Sequence, residues 1–248
     1  MRKSVLALLF LCLASLAAAQ TDAPWSYQGR TGPTLWGRLS PAYRACSKGV
    51  EQSPVDIRRA HLDRTLKPIE FHYIAGSVTI ENTGHTVEVR VNPGSFIVAD
   101  GVRYDLVQIH FHHPSEHTVN GDLSDMEIHL VHRSAEGKLA VLAVLFSENA
   151  DFANATLATL WAHMPTQPGQ AEKVSDMVNP GGLIPRDRGY WTYTGSLTAP
   201  PCTEGVRWFV FEQAISISRS QYDAFARLYK NNSRPTQDLH GRRIQASE

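Results

Sequence analysis

The chain has 248 residues, of which 42% are hydrophobic and 19% are charged, which excludes a disordered protein and is typical of a globular one with a sizeable core. Basic and acidic residues number 24 each, so the formal net charge is zero. No basic field therefore favours nucleic acid or an anionic membrane as a partner.

Residues 1–19 have the pattern of a secretory signal peptide. A positively charged start, "MRKS", precedes the apolar run "VLALLFLCLASL" and the small residues of "AAAQ", with cleavage expected near Ala19. A membrane anchor is the alternative, but the apolar run is short for a spanning helix and leads directly into polar sequence. We therefore expect a periplasmic or secreted protein, with no membrane association after cleavage.

Export changes the interpretation of the cysteines. The chain that remains, residues 20–248, keeps two of them, Cys46 and Cys202. In an oxidising compartment such a pair most simply forms one internal disulfide. The alternative is a pair of unpaired buried thiols, which is less typical of exported proteins.

Residues 20–248 contain no repeat, charge block or low-complexity linker, which indicates a single domain. Runs that often alternate between apolar and polar residues, separated by turn residues, predict strands. In chain order these runs are "GSVTIENTG" (76–84), "HTVEVRVNPG" (85–94), "SFIVADG" (95–101), "VRYDLVQIHFHH" (102–113), "MEIHLVHR" (126–133), "LAVLAVLFS" (139–147), "GYWTYTGSLT" (189–198) and "VRWFVFEQAISIS" (206–218). The apolar run "LAVLAVLF" is typical of a central strand that is covered on both faces.

Two segments predict helices. Residues 154–164 place apolar side chains along one helical face, with Asn154 as the N-cap, and residues 218–231 do the same behind a capping box of Ser218 and Gln221. The predicted fold class is α+β, mainly β. It comprises a large, twisted, mostly antiparallel central sheet with a few peripheral helices.

The stretch "QIHFHHPSEH" holds four histidines in ten residues. If "LVQIHFH" is a strand, Gln108, His110 and His112 share one face because side chains alternate along a strand. In "DMEIHLVHR" the same alternation places Glu127 and His129 on one face. If the two strands are neighbours, His129 completes a set of three imidazoles.

Three neutral nitrogen ligands with a fourth position open are typical of a catalytic zinc, whereas a structural zinc site is closed, usually by thiolates, for which this chain has too few cysteines. Gln108 and Glu127 lie on the ligand faces and could each accept the distal N–H of an imidazole. His132 is predicted to be a core residue. His113 and His117 are predicted to lie in the loop, either as plain loop residues or in the outer shell of the metal site. The histidines elsewhere in the chain are predicted to be surface or structural residues: His61, His72, His163 and His240.

Four motifs in order, "EQSPVDI", "QIHFHHPSEHTV", "EIHLVH" and "YWTYTGSLTAPPC", resemble the α-class carbonic anhydrases over about residues 25–244. The resemblance implies one Zn²⁺ on His110, His112 and His129, whose bound hydroxide converts carbon dioxide to bicarbonate; carbonic anhydrase is itself the reference example of such a three-histidine site. It also implies that Cys46 and Cys202 form the disulfide of the exported members.

The resemblance assigns roles to further residues. Thr198 would accept a hydrogen bond from the hydroxide and donate one to Glu116, and His85 would be the proton shuttle, with a histidine pKa suited to that role near neutrality. Tyr27 and Thr83 match polar residues that order the connecting water chain. The apolar wall that receives carbon dioxide would consist of Val131, Val141, Leu197, Val206 and Trp208.

The sequence departs from many animal members at Thr83, Glu88 and Ala199, and only three residues separate His112 from Glu116, as in bacterial members. These features indicate an exported bacterial type. Such members often form dimers, so a homodimer is one expected assembly.

Two other functions are alternatives to carbon dioxide hydration. Some domains that resemble this family lack zinc ligands and act as binding modules, but this chain keeps all three histidines together with Thr198 and Glu116. Weak hydrolysis of activated esters by the same hydroxide is a possible side activity rather than a separate function.

Overall fold

The computed structural model describes residues 23–149 and 152–248, so the predicted signal peptide lies outside the described residues. Within these two ranges the α-helices are α1 (Trp36–Leu39), α2 (Ala45–Lys48), α3 (Ala155–Ala162) and α4 (Arg219–Leu228). The strands are β1 (Asp56–Ile57), β2 (Ala60–Leu62), β3 (Glu70–His72), β4 (Gly76–Asn82), β5 (Val87–Val91), β6 (Phe96–Ala99), β7 (Val102–His112), β8 (Thr118–Val119), β9 (Asp122–Leu123), β10 (Met126–Arg133), β11 (Leu139–Glu148), β12 (Ala171–Val178), β13 (Tyr190–Ser196), β14 (Glu204–Phe211), β15 (Ile215–Ile217) and β16 (Ile244–Ala246). No helix in these ranges is both long enough and apolar enough to cross a bilayer.

A 13-stranded sheet dominates the described part of the chain. Its main path runs β12-β4-β5-β7-β10-β11-β14-β13-β16-β2. Most neighbours are antiparallel, while β11 pairs in parallel with β14 and β15, and β16 with β2. The predicted fold class, mainly β with a large and mostly antiparallel sheet, is confirmed.

The predicted helix starts are also confirmed. The side chain of Asn154 accepts a hydrogen bond from the Leu157 N–H at 3.0 Å, which satisfies one of the free donors at the start of α3. Ser218 and Gln221 form a reciprocal capping box at the start of α4.

Several elements differ from the sequence prediction. The short strands β1, β2, β3, β8, β9 and β16 and the helices α1 and α2 were not predicted, and two further differences concern longer segments. The run 206–218 is not one strand, because it breaks between β14 and β15. Strand β12 was not predicted, because its sequence "AEKVSDMV" buries only Val174 and Val178 and shows no period of two. It is an edge strand, paired with β4 and interrupted by a register shift between these two valines. Edge strands often carry polar residues, which hides them from a hydrophobic pattern.

The two faces of the central strands bury different residues. On β7 and β10, Ile109, Phe111, Ile128 and Leu130 are fully buried in the main core on one side of the sheet. A second, smaller core on the opposite side includes Val131. The polar face of β7 therefore lies on the side of the sheet opposite the main core.

Cys46 and Cys202 form a disulfide, as predicted. Both are buried together with Trp36 and Tyr43 in a third apolar cluster, where the segment of α1 and α2 meets the loop after β13. The bond fastens this helical segment to the sheet.

Replacing Cys46 and Cys202 with serine is expected to lower the free energy of unfolding, because the bond closes a loop with a sequence separation of 156 residues. Chain-entropy models give roughly 4–5 kcal/mol at most for such a loop. Urea unfolding with and without reductant measures the effect. The oxidised protein should lose stability on reduction while the variant does not respond; equal stability of the two proteins would contradict the prediction.

Candidate metal centre

Three histidines meet on one face of the two central strands. β7 and β10 are antiparallel neighbours, with His129 opposite His110 and Glu127 opposite His112 in the register. Each of the three imidazoles offers one nitrogen, and these nitrogens all lie within 4.8 Å of one another. The structure thus brings His110, His112 and His129 together around one point.

The second nitrogen of each ring is held by an oxygen acceptor. The hydrogen bonds run from His110 Nδ1 to Gln108 Oε1 at 2.9 Å, from His112 Nδ1 to the main-chain oxygen of Asn232 at 2.8 Å, and from His129 Nε2 to Glu127 Oε1 at 2.7 Å. Because these nitrogens carry the protons, the lone pairs lie on His110 Nε2, His112 Nε2 and His129 Nδ1. Among the described residues, His112 Nε2 is buried and has no hydrogen-bond partner.

Burial keeps these imidazoles neutral. It lowers the pKa of His110 well below its ordinary value, lowers the pKa of His112 to about 4, and lowers the pKa of His129. The neighbouring imidazoles add to this effect at His110. A neutral imidazole is the form that binds a metal ion, so the three lone pairs fit a divalent cation that prefers nitrogen ligands.

Glu127 anchors the back of the site. Its Oε2 accepts hydrogen bonds from the main-chain N–H groups of Glu116 and His117 at 2.8 and 2.7 Å, and its Oε1 accepts one from His117 Nδ1 at 2.6 Å. Although burial opposes it, His117 and His129 hold the pKa of Glu127 well below its usual range. His117 Nε2 lies 2.7 Å from the Tyr193 hydroxyl. Glu127 therefore connects His117 to His129.

Glu116 lies in the loop after β7 and faces the same point. Its Oε1 accepts a hydrogen bond from the Arg234 main-chain N–H at 2.8 Å, and its Oε2 lies 3.5 Å from His112 Nε2. Burial raises the pKa of Glu116 to about 7, and a hydrogen bond from the Thr198 side chain acts in the opposite direction. That contact is weaker than a well-formed hydrogen bond, because Oε2 has no partner of ordinary geometry in the described residues.

A cavity of about 190 Å³ opens beside the histidines. Its lining combines polar and apolar side chains: Gln108, His110, His129, Val131, Val141, Leu197, Thr198, Ala199, Pro200 and Trp208. Val206 is buried in the same apolar cluster as Val131 and Trp208, but it is not part of the cavity lining. The cavity thus has one wall that includes the imidazoles of His110 and His129 and another of hydrocarbon side chains.

His85 lies in the turn between β4 and β5. Its ring stacks on Trp25 with centroids 3.8 Å apart and planes inclined by 7°, and Tyr27 meets Trp25 edge-on. Burial lowers the pKa of His85. The Thr83 hydroxyl donates to the Thr86 carbonyl at 3.0 Å and accepts the N–H groups of His85 and Thr86. Its single hydrogen is therefore used to shape the turn.

Asn232 and Arg234, which touch the site, were not predicted. Both contribute main-chain atoms, Asn232 an oxygen to His112 and Arg234 an N–H to Glu116, so side-chain patterns carry no signal for them. Trp25 was missed because no regular element surrounds it. The other histidines pair elsewhere: His132 with Tyr73, His113 with Tyr222 and with the Tyr229 main chain, and His163 with Glu172 and Asp176.

Comparison with known proteins shows which family the chain is similar to. A family model described as eukaryotic-type carbonic anhydrase matches residues 31–248. A protein of Klebsiella pneumoniae named carbonic anhydrase is 40% identical over 235 residues, with 94% of each chain covered. One of Pectobacterium carotovorum with the same name is 38% identical over 242 residues, with 97% of each covered.

A solved structure shows similarity to the same family. The α-carbonic anhydrase of Thermovibrio ammonificans, determined in complex with the inhibitor sulfanilamide, superposes with a TM-score of 0.87 at 40% identity, covering 91% of this chain and all of that one.

Proposed function

Because the chain belongs to the eukaryotic-type carbonic anhydrase family, we propose that it hydrates carbon dioxide reversibly to bicarbonate and a proton, with one zinc ion on His110, His112 and His129. The observation that carries the proposal is the convergence of three imidazole lone pairs, two of them from buried histidines, beside a cavity with an apolar wall. Each ring is fixed from behind by an oxygen acceptor, as expected of metal-binding histidines.

His110, His112 and His129 would hold the zinc ion, which would lower the pKa of a bound water to about 7, as it does in carbonic anhydrase, and so would supply a hydroxide nucleophile near neutral pH. The protein keeps its three rings neutral by burial and orients them through Gln108, Glu127 and the Asn232 main chain. These hydrogen bonds keep the ring protons on the outer nitrogens and leave His110 Nε2, His112 Nε2 and His129 Nδ1 free to act as ligands.

Thr198 and Glu116 orient the nucleophile. The Arg234 N–H holds one oxygen of the Glu116 carboxylate, and the nearby Thr198 hydroxyl would donate its hydrogen to this carboxylate. A positive ion nearby favours the ionised carboxylate despite its burial. With its hydrogen directed to Glu116, Thr198 acts only as an acceptor towards the nucleophile, whose lone pair then faces the substrate.

The apolar wall suits carbon dioxide, which has no charge and no dipole moment. Val131, Val141, Leu197 and Trp208 face the cavity, and Val206 supports them from behind. Because the pocket offers hydrocarbon on this side, bicarbonate is held less well there than carbon dioxide.

Turnover requires a proton to leave the site, and we assign its transfer to buffer to His85, with Tyr27 beside the path. Thr83 serves this path by shaping the turn that carries His85. Residues 20–248 form the catalytic domain of an enzyme exported by the signal peptide of residues 1–19 to the periplasm or the medium. Hydrolysis of activated esters is a minor side activity of the same site.

Metal analysis of the purified protein, combined with stopped-flow carbon dioxide hydration, tests the proposal. We expect one zinc per chain, loss of hydration after chelation, and recovery when zinc is restored. Hydration by metal-free protein would overturn the metal assignment, and a zinc-loaded protein without hydration activity would overturn the function.

Replacing His85 with alanine is expected to slow turnover at low buffer concentration by about 10-fold, less than the roughly 100-fold or more typical of a positioned acid–base group, because buffer can still take the proton directly. The hydration step itself, measured as kcat/KM, should change little, because the ligand set and the apolar wall are intact. Stopped-flow hydration with increasing imidazole measures both constants. Added imidazole should restore kcat, and a variant that needs no rescue would contradict the shuttle assignment.

A further inference from the structure

Asn232 lies in the segment after α4 and is only 1% exposed. Its side-chain amide nitrogen donates to the main-chain oxygens of His85 at 3.1 Å and Phe111 at 2.9 Å. Its side-chain oxygen accepts the His113 N–H at 2.8 Å. One carboxamide thus connects the turn of His85 to the strand that carries His110 and His112.

The rest of the turn is fastened by other groups. The Thr86 hydroxyl bonds to both the N–H and the carbonyl of Phe111, and the Tyr229 hydroxyl donates to the Thr86 carbonyl and to Asn82. At His85 itself, the N–H is held within the turn by Thr83, and the carbonyl is held by Asn232. The Asn232 side chain therefore fixes the backbone of His85 relative to β7.

The main chain of Asn232 has a separate contact, because its oxygen holds His112 Nδ1. A side-chain substitution removes the link to His85 while leaving that main-chain oxygen in place. The two contacts can therefore be separated by experiment.

We propose that the Asn232 carboxamide is a positioning residue for proton transfer, which sets the distance between His85 and the metal-binding strand. The inference rests on the proposed function, in which His85 passes the proton to buffer. Proton transfer across a site is sensitive to small displacements of the groups involved. One buried amide donates to the His85 carbonyl and to the Phe111 carbonyl of β7, which gives the His85 backbone a fixed place relative to that strand.

The test is Asn232→Asp. This variant keeps the shape and the acceptor for the His113 N–H, but an ionised carboxylate has no donor for the carbonyls of His85 and Phe111, and a protonated one keeps at most one of the two bonds. We expect kcat for hydration at low buffer to fall about 10-fold, within the range caused by small misplacements of reacting groups. In contrast, kcat/KM should stay within about twofold, and added imidazole should restore kcat, because the nucleophile and the carbon dioxide wall are untouched.

The neighbouring residue provides a matched control. Asn231 is exposed, and its side-chain oxygen accepts the Ser233 N–H at 3.1 Å, a bond that aspartate preserves. Asn231→Asp makes the same chemical change one residue away and should keep wild-type kcat. In a double-mutant cycle, Asn232→Asp should cost no further kcat once His85 is alanine, because the two act through one step.

A second readout does not depend on activity. The His85 ring lies 3.8 Å from Trp25, so its Cε1 proton experiences a ring-current shift in the NMR spectrum, assigned by its loss in His85→Ala. Asn232→Asp should reduce this shift in the zinc-loaded protein, and Asn231→Asp should not. If Asn232→Asp does not fold, Asn232→Ser, which also lacks the amide donors, is measured in its place.

An unchanged kcat with an unchanged shift would overturn the proposal. Equal falls in kcat and kcat/KM, or a loss that imidazole does not restore, would also overturn it, because they indicate general damage to the site. Absence of hydration in the wild-type protein would instead contradict the proposed function, while the NMR shift would still report whether Asn232 positions His85.

Discussion

Replacing His110 with alanine is expected to abolish stoichiometric zinc binding and carbon dioxide hydration. The variant loses one of three ligands, and metal affinity should fall by more than about 100-fold, since loss of an outer-shell partner alone costs roughly 10–100-fold. His110 is the ligand best suited to this test, because it is partly exposed whereas His112 and His129 are buried. Its removal therefore disturbs folding least. Metal analysis and stopped-flow hydration give the two readouts.

A matched control is His61→Ala, which removes an exposed imidazole on the edge strand β2, outside the site. It should keep one zinc per chain and wild-type hydration. Full zinc content in His110→Ala, with its fold intact by circular dichroism, would show that the ion is held elsewhere.

Replacing Thr198 with alanine is expected to lower kcat/KM for hydration by about 100-fold or more, the size found when a preorganised hydrogen-bonding group is removed from an active site. The nucleophile then loses the acceptor that directs its lone pair, and Glu116 loses the hydroxyl donor. Zinc content should remain at one per chain, because no ligand changes. Stopped-flow hydration measures the effect.

Thr198→Ser provides the control for this second experiment, since it keeps the hydroxyl and removes only a methyl group. It should retain most of the wild-type kcat/KM. Equal losses in the alanine and serine variants would assign the effect to the methyl group, and thus to packing of the cavity wall rather than to orientation of the nucleophile.

Most of the fold and the centre of the site could be predicted, because the alternation of side chains along a strand constrains both. Alternation along β7 and β10 placed Gln108 and Glu127 on the faces of the histidines, and the structure shows both as acceptors behind imidazole rings. The same alternation directed Ile109 and Phe111 into the main core. A single register between two strands was enough to bring the three rings together.

The contacts that could not be predicted from the sequence are made by main-chain atoms or by loop residues, for which side-chain patterns carry no information. His112 and Glu116 are held by main-chain atoms of Asn232 and Arg234, which any residue would provide. His117 lies in a loop, where alternation does not apply, and its contact with Glu127 depends on how the loop folds back. Such contacts follow from tertiary structure alone.

The stack of His85 on Trp25 has an optical consequence. When His85 takes up a proton, a charged ring lies against the indole face at 3.8 Å, where cation–π attraction partly offsets the desolvation that disfavours the charge. A charged imidazole at this distance quenches indole emission. In a variant whose other tryptophans are replaced by non-fluorescent residues, the fluorescence of Trp25 therefore reports, without any added label, whether His85 is protonated.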